Sequence, residues 1–212
     1  MPHRDKLYGA YALLGGSFDP IHNGHLYLAK EVLSLTPVEK VILVPSFHHN
    51  FKSRSILLDY EQRLSLTRDA VNHFSLTNFV CQPAEDFCTP IEVWDSERGE
   101  SGYTSDLGRK LLGERPGLHL AFIIGSDNLE HLRDWHDYTW LRENLIFIII
   151  PRSGTSMPVD VLAEIRHTIL EIPFYDVSST QIRQKISQGQ DIHGLVPEAV
   201  EERIRDLYKE LA

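Results

Sequence analysis

His22 and His25 stand three residues apart in the run Gly15-Gly16-Ser17-Phe18-Asp19-Pro20-Ile21-His22-Asn23-Gly24-His25. That spacing puts two imidazoles on one face of a helix that starts here. The first turn of a helix has unpaired N–H groups and a partial positive charge, so it receives an anion readily. Gly15 and Gly16 let the backbone approach a ligand closely, and their amides can point at phosphate oxygens. The chemistry implied is stabilisation of charge developing on a phosphate. A tight turn explains any one of these residues, but not the whole set. The run is not the Gly-x-Gly-x-x-Gly dinucleotide fingerprint, and it lacks the His-Glu-x-x-His of zinc hydrolases.

A second cluster lies about 150 residues further on, at Val177-Ser178-Ser179-Thr180-Gln181-Ile182-Arg183. Ser178, Ser179 and Thr180 are N-cap types that place hydroxyls and free amides at a helix start. Arg183 follows by one turn with a planar fork matched to phosphate. Two phosphate-binding devices in one chain fit a triphosphate better than a single phosphoryl group.

Together the two clusters resemble the nucleotidyltransferase family. Its marker, Gly-x-Phe-x-Pro-x-His-x-Gly-His, is matched by Gly16, Phe18, Pro20, His22, Gly24 and His25. Its second mark, Ile-Ser-Ser-Thr-x-Ile-Arg, is similar to residues 177–183. Within the family the likeness is greatest to the nicotinate-nucleotide adenylyltransferases. Phe122-Ile123-Ile124-Gly125-Ser126-Asp127 resembles their strand ending in Gly-x-Asp, whose aspartate contacts ATP ribose. Leu132-Arg133-Asp134-Trp135-His136 resembles the segment whose tryptophan stacks on the pyridine ring. Tyr103-Thr104 resembles their Ser-Tyr-Thr, whose threonine helps hold nicotinate. Arg152 and Arg63 match arginines at a strand end and in a helix. Two places depart from the pattern. Residues 46–52 read Ser-Phe-His-His-Asn-Phe-Lys where the family usually has Pro-Pro-His-Lys, and only Lys52 survives. Gly102 stands where the family has serine.

The resemblance implies adenylyl transfer from ATP to nicotinate mononucleotide, giving nicotinate adenine dinucleotide and pyrophosphate. The attacking phosphate monoester has a second pKa of about 6, so it is largely dianionic at neutral pH and needs no general base. Catalysis is then positioning plus charge stabilisation. His22, His25, Lys52 and Arg183 are the expected catalytic residues. Gly15, Gly16, Ser17, Phe18, Gly24, Gly125, Asp127, Ser178, Ser179 and Thr180 are expected around ATP, and Thr104, Trp135 and Arg152 around the acceptor. Mg²⁺ is expected through ATP, with no dedicated protein metal site. The residues leave open other adenylyltransferases, acting on nicotinamide mononucleotide or phosphopantetheine, a cytidylyltransferase, and a nucleotide sensor without turnover. A class I aminoacyl-tRNA synthetase is excluded by size and by the lack of a Lys-Met-Ser-Lys-Ser segment.

Positioning such groups requires a sheet whose strands end at the site. Residues 8–14, 40–44, 78–81, 118–124 and 145–150, with a weaker run at 172–175, are mostly continuous apolar runs, as in strands buried on both faces. Between them lie helix patterns at 24–35, 59–73, 104–112, 128–144 in two pieces, and 158–171. This alternation predicts an α/β, Rossmann-like doubly wound parallel sheet. Residues 178–188 and 197–211 predict C-terminal helices, so 1–212 reads as one nucleotidyltransferase domain with a helical part at 178–212. Residues 82–102 lack periodicity and are expected to form a functional loop or lid.

With 21 Lys plus Arg against 30 Asp plus Glu, the net charge is −9, which disfavours nucleic acid or an anionic membrane as a partner. Two cysteines, Cys81 and Cys88, and the absence of a signal-like or membrane-length apolar run point to the cytoplasm. A homo-oligomer is compatible with this composition. Positive potential is expected locally, from His22, His25, Lys52, Arg152 and Arg183.

Overall fold

The computed structural model describes residues 4–47, 56–79, 89–173 and 175–211. Within these residues six parallel strands form one sheet: β1 (Tyr11–Gly16), β2 (Lys40–Pro45), β3 (Ile91–Val93), β4 (Leu120–Gly125), β5 (Ile146–Ile150) and β6 (His167–Ile169). Their order is β3-β2-β1-β4-β5-β6, the doubly wound arrangement expected from the apolar runs. The order reverses between β1 and β4. Those two strands stay paired only from Tyr11↔Leu120 to Leu13↔Phe122, whereas β1 and β2 pair as far as Gly16↔Pro45. A crevice therefore opens beyond Leu13, outside the carboxyl ends of the strands.

Among the described residues seven α-helices cover the sheet: α1 (Asn23–Leu35), α2 (Tyr60–Asn78), α3 (Thr104–Glu114), α4 (Tyr138–Asn144), α5 (Val159–Glu164), α6 (Ser179–Ser187) and α7 (Glu198–Lys209). A 3-10 segment, Ser126–Asp134, follows β4 directly. Successive strand residues face opposite sides. Accordingly Ala12 and Leu14 pack with Leu26, Val32, Leu66 and Ile182 on one face, and Leu13 packs with Leu107, Phe122 and Leu129 on the other. Full burial of each such leucine contributes about 1.5–3 kcal/mol. The α2 start is fixed by a reciprocal cap: the Gln62 N–H donates to Asp59 Oδ1 at 2.8 Å, and the Asp59 N–H donates to Gln62 Oε1 at 3.0 Å. No helix among the described residues is long and apolar enough to cross a membrane.

Three expectations need correction. Helix α2 continues to Asn78, and the third strand is Ile91–Val93, not 78–81. Residues 80–81 lie outside the described part. The last strand is His167–Ile169, inside the span expected to be helical to 171, because α5 stops at Glu164. Both strands are three-residue edge strands, too short for a period of two to show. The third correction concerns the segment at 82–102. Its described part, from 89 onward, holds β3 and a turn tied down by side chains, with Tyr60 donating to Asp95 at 2.6 Å and Lys110 to the Ser96 carbonyl at 2.9 Å.

Candidate active site

The turn after β1 carries the two histidines to the crevice. His22 precedes α1 in extended backbone, and its N–H donates to His25 Nδ1 at 3.2 Å. That bond fixes the His25 tautomer, leaving Nε2–H as its donor. The two rings stack at 3.6 Å between centroids, 23° from parallel. His22 Nδ1 is buried without a hydrogen-bond partner. Burial lowers the His22 pKa to about 4. Burial, then His22, then Arg152 hold His25 well below its ordinary value. Both rings are therefore neutral near pH 7, which corrects the expectation that they supply positive charge. They offer polar ring nitrogens, and charge comes from the arginines and the α1 N-terminus.

The turn itself is shaped by close approaches. Phe18 adopts φ 47 and is 1% exposed, with its edge on the His25 ring at 4.9 Å, so it braces the loop from beneath. A Cβ on Gly16 would sit 3.2 Å from that phenyl ring. Arg63, buried in α2, donates to the carbonyls of Ser17 at 2.6 Å, Ser46 at 2.9 Å and Leu58 at 3.2 Å. Asp19 is 1% exposed and accepts from the N–H groups of Leu57 and Leu58 and from the Tyr208 hydroxyl, at 2.9, 3.0 and 2.6 Å. Both carboxylate oxygens are thus occupied.

The second cluster locks onto the first. Ser178 caps α6, accepting from the Gln181 N–H at 3.2 Å. Ser179 donates its hydroxyl to the Pro20 carbonyl at 2.9 Å, and Arg183 donates to the Asp19 carbonyl at 2.6 Å and to Thr180 Oγ1 at 3.3 Å. A Cβ on Gly24 would stand 2.8 Å from Val177 Cγ1 and 3.1 Å from His22 Nδ1, so only glycine permits this seam. Asn23 completes it, donating to the carbonyls of Gly194 and Val196 at 2.8 and 3.2 Å. Two helix N-termini, α1 and α6, therefore open beside each other.

Two adjoining cavities extend across the crevice. The first, of 220 Å³, is lined by Gly15, Gly16, Thr104, Leu107, Glu97 and His136, and the second, of 190 Å³, by Leu14, Leu28, Gly125, Ile150 and Arg152. Gly15, Phe122, Asn128 and Trp135 line both, with the Trp135 ring edge-on to Phe122 at 6.1 Å. Trp135 is thus a wall of the crevice and not a core residue. Thr104 is the first residue of α3, whose first-turn amides lack intrahelical acceptors. Ser101 supports that turn, accepting from the Tyr103 N–H at 3.2 Å and donating to Asp106 at 2.6 Å. Gly102 has φ 77, a left-handed conformation that serine would adopt only with strain.

Most expected site residues thus converge on one sheet edge, with two adjustments. Arg152 pairs with Asp127 at 3.1 Å and, beside Gly125, lines the second cavity rather than the one lined by Thr104. Lys52, with the rest of 48–55, lies outside the described residues. Sequence reasoning missed Glu97, Asn128 and the Asp19–Tyr208 bond. No motif marks them, because their significance comes from burial and from contacts between distant segments. Among the described residues no cluster of His, Cys, Asp and Glu could hold a metal ion. Asp19 is occupied by three donors, and Asp127 is paired with Arg152.

Residues 13–185 match the family model of cytidylyltransferase-like proteins. A curated protein of Frankia alni, named a probable nicotinate-nucleotide adenylyltransferase, is 34% identical over 202 residues, covering 94% of this chain and 100% of that one. Among solved structures, Plasmodium falciparum nicotinic acid mononucleotide adenylyltransferase complexed with NaAD aligns with a TM-score of 0.73 at 21% identity, covering 96% of each chain. The same enzyme complexed with APC aligns at 0.70 and 19%, again covering 96% of each chain. At those identities the structural likeness concerns the fold, a six-stranded parallel α/β nucleotidyltransferase sheet.

Proposed function

The chain belongs to the cytidylyltransferase-like family and, within it, to the nicotinate-nucleotide adenylyltransferases, and from that premise we propose how its site works. The reaction is adenylyl transfer from ATP to nicotinate mononucleotide, yielding nicotinate adenine dinucleotide and pyrophosphate in NAD biosynthesis. The observation that carries this reading is the seam between the two clusters, Ser179 to Pro20 at 2.9 Å and Arg183 to Asp19 at 2.6 Å. It puts two helix N-termini, two imidazoles and an arginine where a polyphosphate would lie.

A phosphate oxygen of the acceptor attacks the α-phosphorus of ATP. The bond from that phosphorus to the bridging oxygen breaks, and pyrophosphate leaves with the electron pair. His22 and His25 face the α-phosphate as neutral imidazoles, His25 donating from Nε2. Neutral donors suit this task, since both reactants are already anionic and proton transfer is not needed. Lys52 and Arg183 neutralise the phosphates, and Ser178, Ser179, Thr180 and the Gly15–Gly16 amides hold them. Asp127 and Arg152, beside Gly125, meet the nucleoside of ATP. Mg²⁺ arrives as part of the Mg-ATP substrate, held mainly by the nucleotide and water as this hard ion prefers.

The pyridine ring enters the 220 Å³ cavity against Trp135, with its carboxylate toward the α3 N-terminus at Thr104. The enzyme works in the cytoplasm, and neither nucleic acid nor a membrane takes part. Pyrophosphate release from purified protein tests the reading. Release should require both Mg-ATP and nicotinate mononucleotide and should match dinucleotide formation one for one. ATP binding with no release in the presence of the acceptor would indicate a sensor instead.

A further inference from the structure

Glu97 is 5% exposed and forms part of the wall of the cavity that also holds Thr104 and Trp135. Its Oε2 atom is buried with no hydrogen-bond partner. The backbone around it is fixed, since Arg98 donates to Asp95 at 2.8 Å and the Glu100 N–H to the Glu97 carbonyl at 3.0 Å. The turn is therefore clamped while Oε2 is left without a partner in the wall of a ligand-sized space. A buried acceptor without a partner is costly, and one in the wall of a cavity gains a partner when a small turn of its carboxyl brings it to what fills the space.

Resting on the adenylyl-transfer reading of the site, we infer that Glu97 is a specificity determinant that meets the substituent on the acceptor's pyridine ring and discriminates a carboxylate from a carboxamide there. The neutral carboxyl has an O–H to donate to a ring carboxylate. The ionised form repels that carboxylate and accepts instead from the N–H₂ of an amide.

The charged groups around Glu97 decide which form is present. On its own turn, Arg98 is committed to Glu61 and Asp95, and Glu100 adds a like charge. From α3, Asp106 adds another like charge, while Lys110 is committed to Glu100 at 2.7 Å and to the Ser96 carbonyl. His136, which lines the same cavity, is hydrogen-bonded to Ser105 at 3.0 Å. Lys110 pulls the other way, but burial, followed by Glu100, outweighs it and pushes the Glu97 pKa up to about 7. Discrimination should therefore favour the carboxylate below that pH and weaken above it.

The test measures kcat and KM for nicotinate and nicotinamide mononucleotides at saturating Mg-ATP from about pH 6 to about pH 8.5. Both acceptors carry the same phosphate, so its titration cancels in their KM ratio. In the unmodified protein the nicotinate-to-nicotinamide KM ratio should rise at least about fivefold across this range, in KM and not in kcat. Glu97→Gln keeps the shape and an N–H donor but cannot ionise, so its ratio should stay flat within about twofold at the low-pH value. A flat ratio in the unmodified protein, which needs no variant to fold, overturns the inference. So does a Glu97→Gln protein that retains the slope. Nicotinate turnover with a flat ratio overturns this inference alone, whereas turnover of neither acceptor overturns the adenylyl-transfer reading and this inference with it.

Discussion

The phosphate end and the acceptor end of the crevice are built in different ways. At the phosphate end, backbone carbonyls of one motif are held by side chains of the other, across 159 positions for Ser179–Pro20 and 164 for Arg183–Asp19. Arg63 and Asp19 satisfy several backbone groups each from beneath. At the acceptor end, apolar walls such as Leu107, Phe122 and Trp135 surround a few polar groups, one of which, Glu97, has no partner. A network of shared bonds tolerates few changes, because each loss strands a buried group. A packed apolar pocket tolerates volume-conserving change more readily. Of the departures from the family pattern, Gly102 lines the cavity at the tolerant end.

This contrast can be broken most sharply at the phosphate end. His22→Ala is expected to lower kcat a hundredfold or more, equivalent to about 2.7–4 kcal/mol of barrier, with the fold retained in thermal denaturation. Turnover close to that of the unmodified protein would remove His22 from the chemistry.

Acid should act on the same end. The unfolded chain protonates His22 near its ordinary value, while the folded chain resists until about pH 4. Between those values the unfolded state binds more protons, so stability is full above about pH 6.5 and is lost as pH falls toward 4, by up to about 3 kcal/mol. Urea midpoints of the unmodified protein should fall more between these limits than those of a His22→Gln variant.

A smaller effect is expected at the seam. Gly24→Ala forces a Cβ within 2.8 Å of Val177 and should cost about 1–3 kcal/mol of stability. The KM for ATP should rise while the acceptor KM stays nearly constant. Trp135→Ala should give the mildest change, a rise of about fivefold in acceptor KM, with ATP affinity and stability little altered because Trp135 is a wall and not core. Equal effects of both substitutions on both substrates would erase the distinction between the two ends.

Much of the phosphate end was legible in the sequence, because the constraints there are local. A turn needs its glycines, a helix start needs Ser178, and paired imidazoles need a spacing of three. The central strands were legible for a similar reason: being buried on both faces, they read as apolar runs such as Ile146–Ile150. The edge strands were not. Ile91–Val93 includes Glu92, which pairs with Lys40 of the neighbouring strand, and this charge hides the strand pattern. His167–Ile169 lies within a stretch of helical periodicity, and only the sheet's open edge beside β5 draws it into a strand. Charge at the histidines was misjudged for a related reason, since residue type reveals an imidazole but not the burial that keeps it neutral. Glu97 was hidden in the same way.

The central claim is tested most directly by kcat/KM for nicotinate and nicotinamide mononucleotides at fixed Mg-ATP near pH 6.5. A preference of at least about tenfold for the nicotinate form is expected, the discrimination available from one well-placed charged hydrogen bond. A preference for the amide, or turnover of neither, would contradict it.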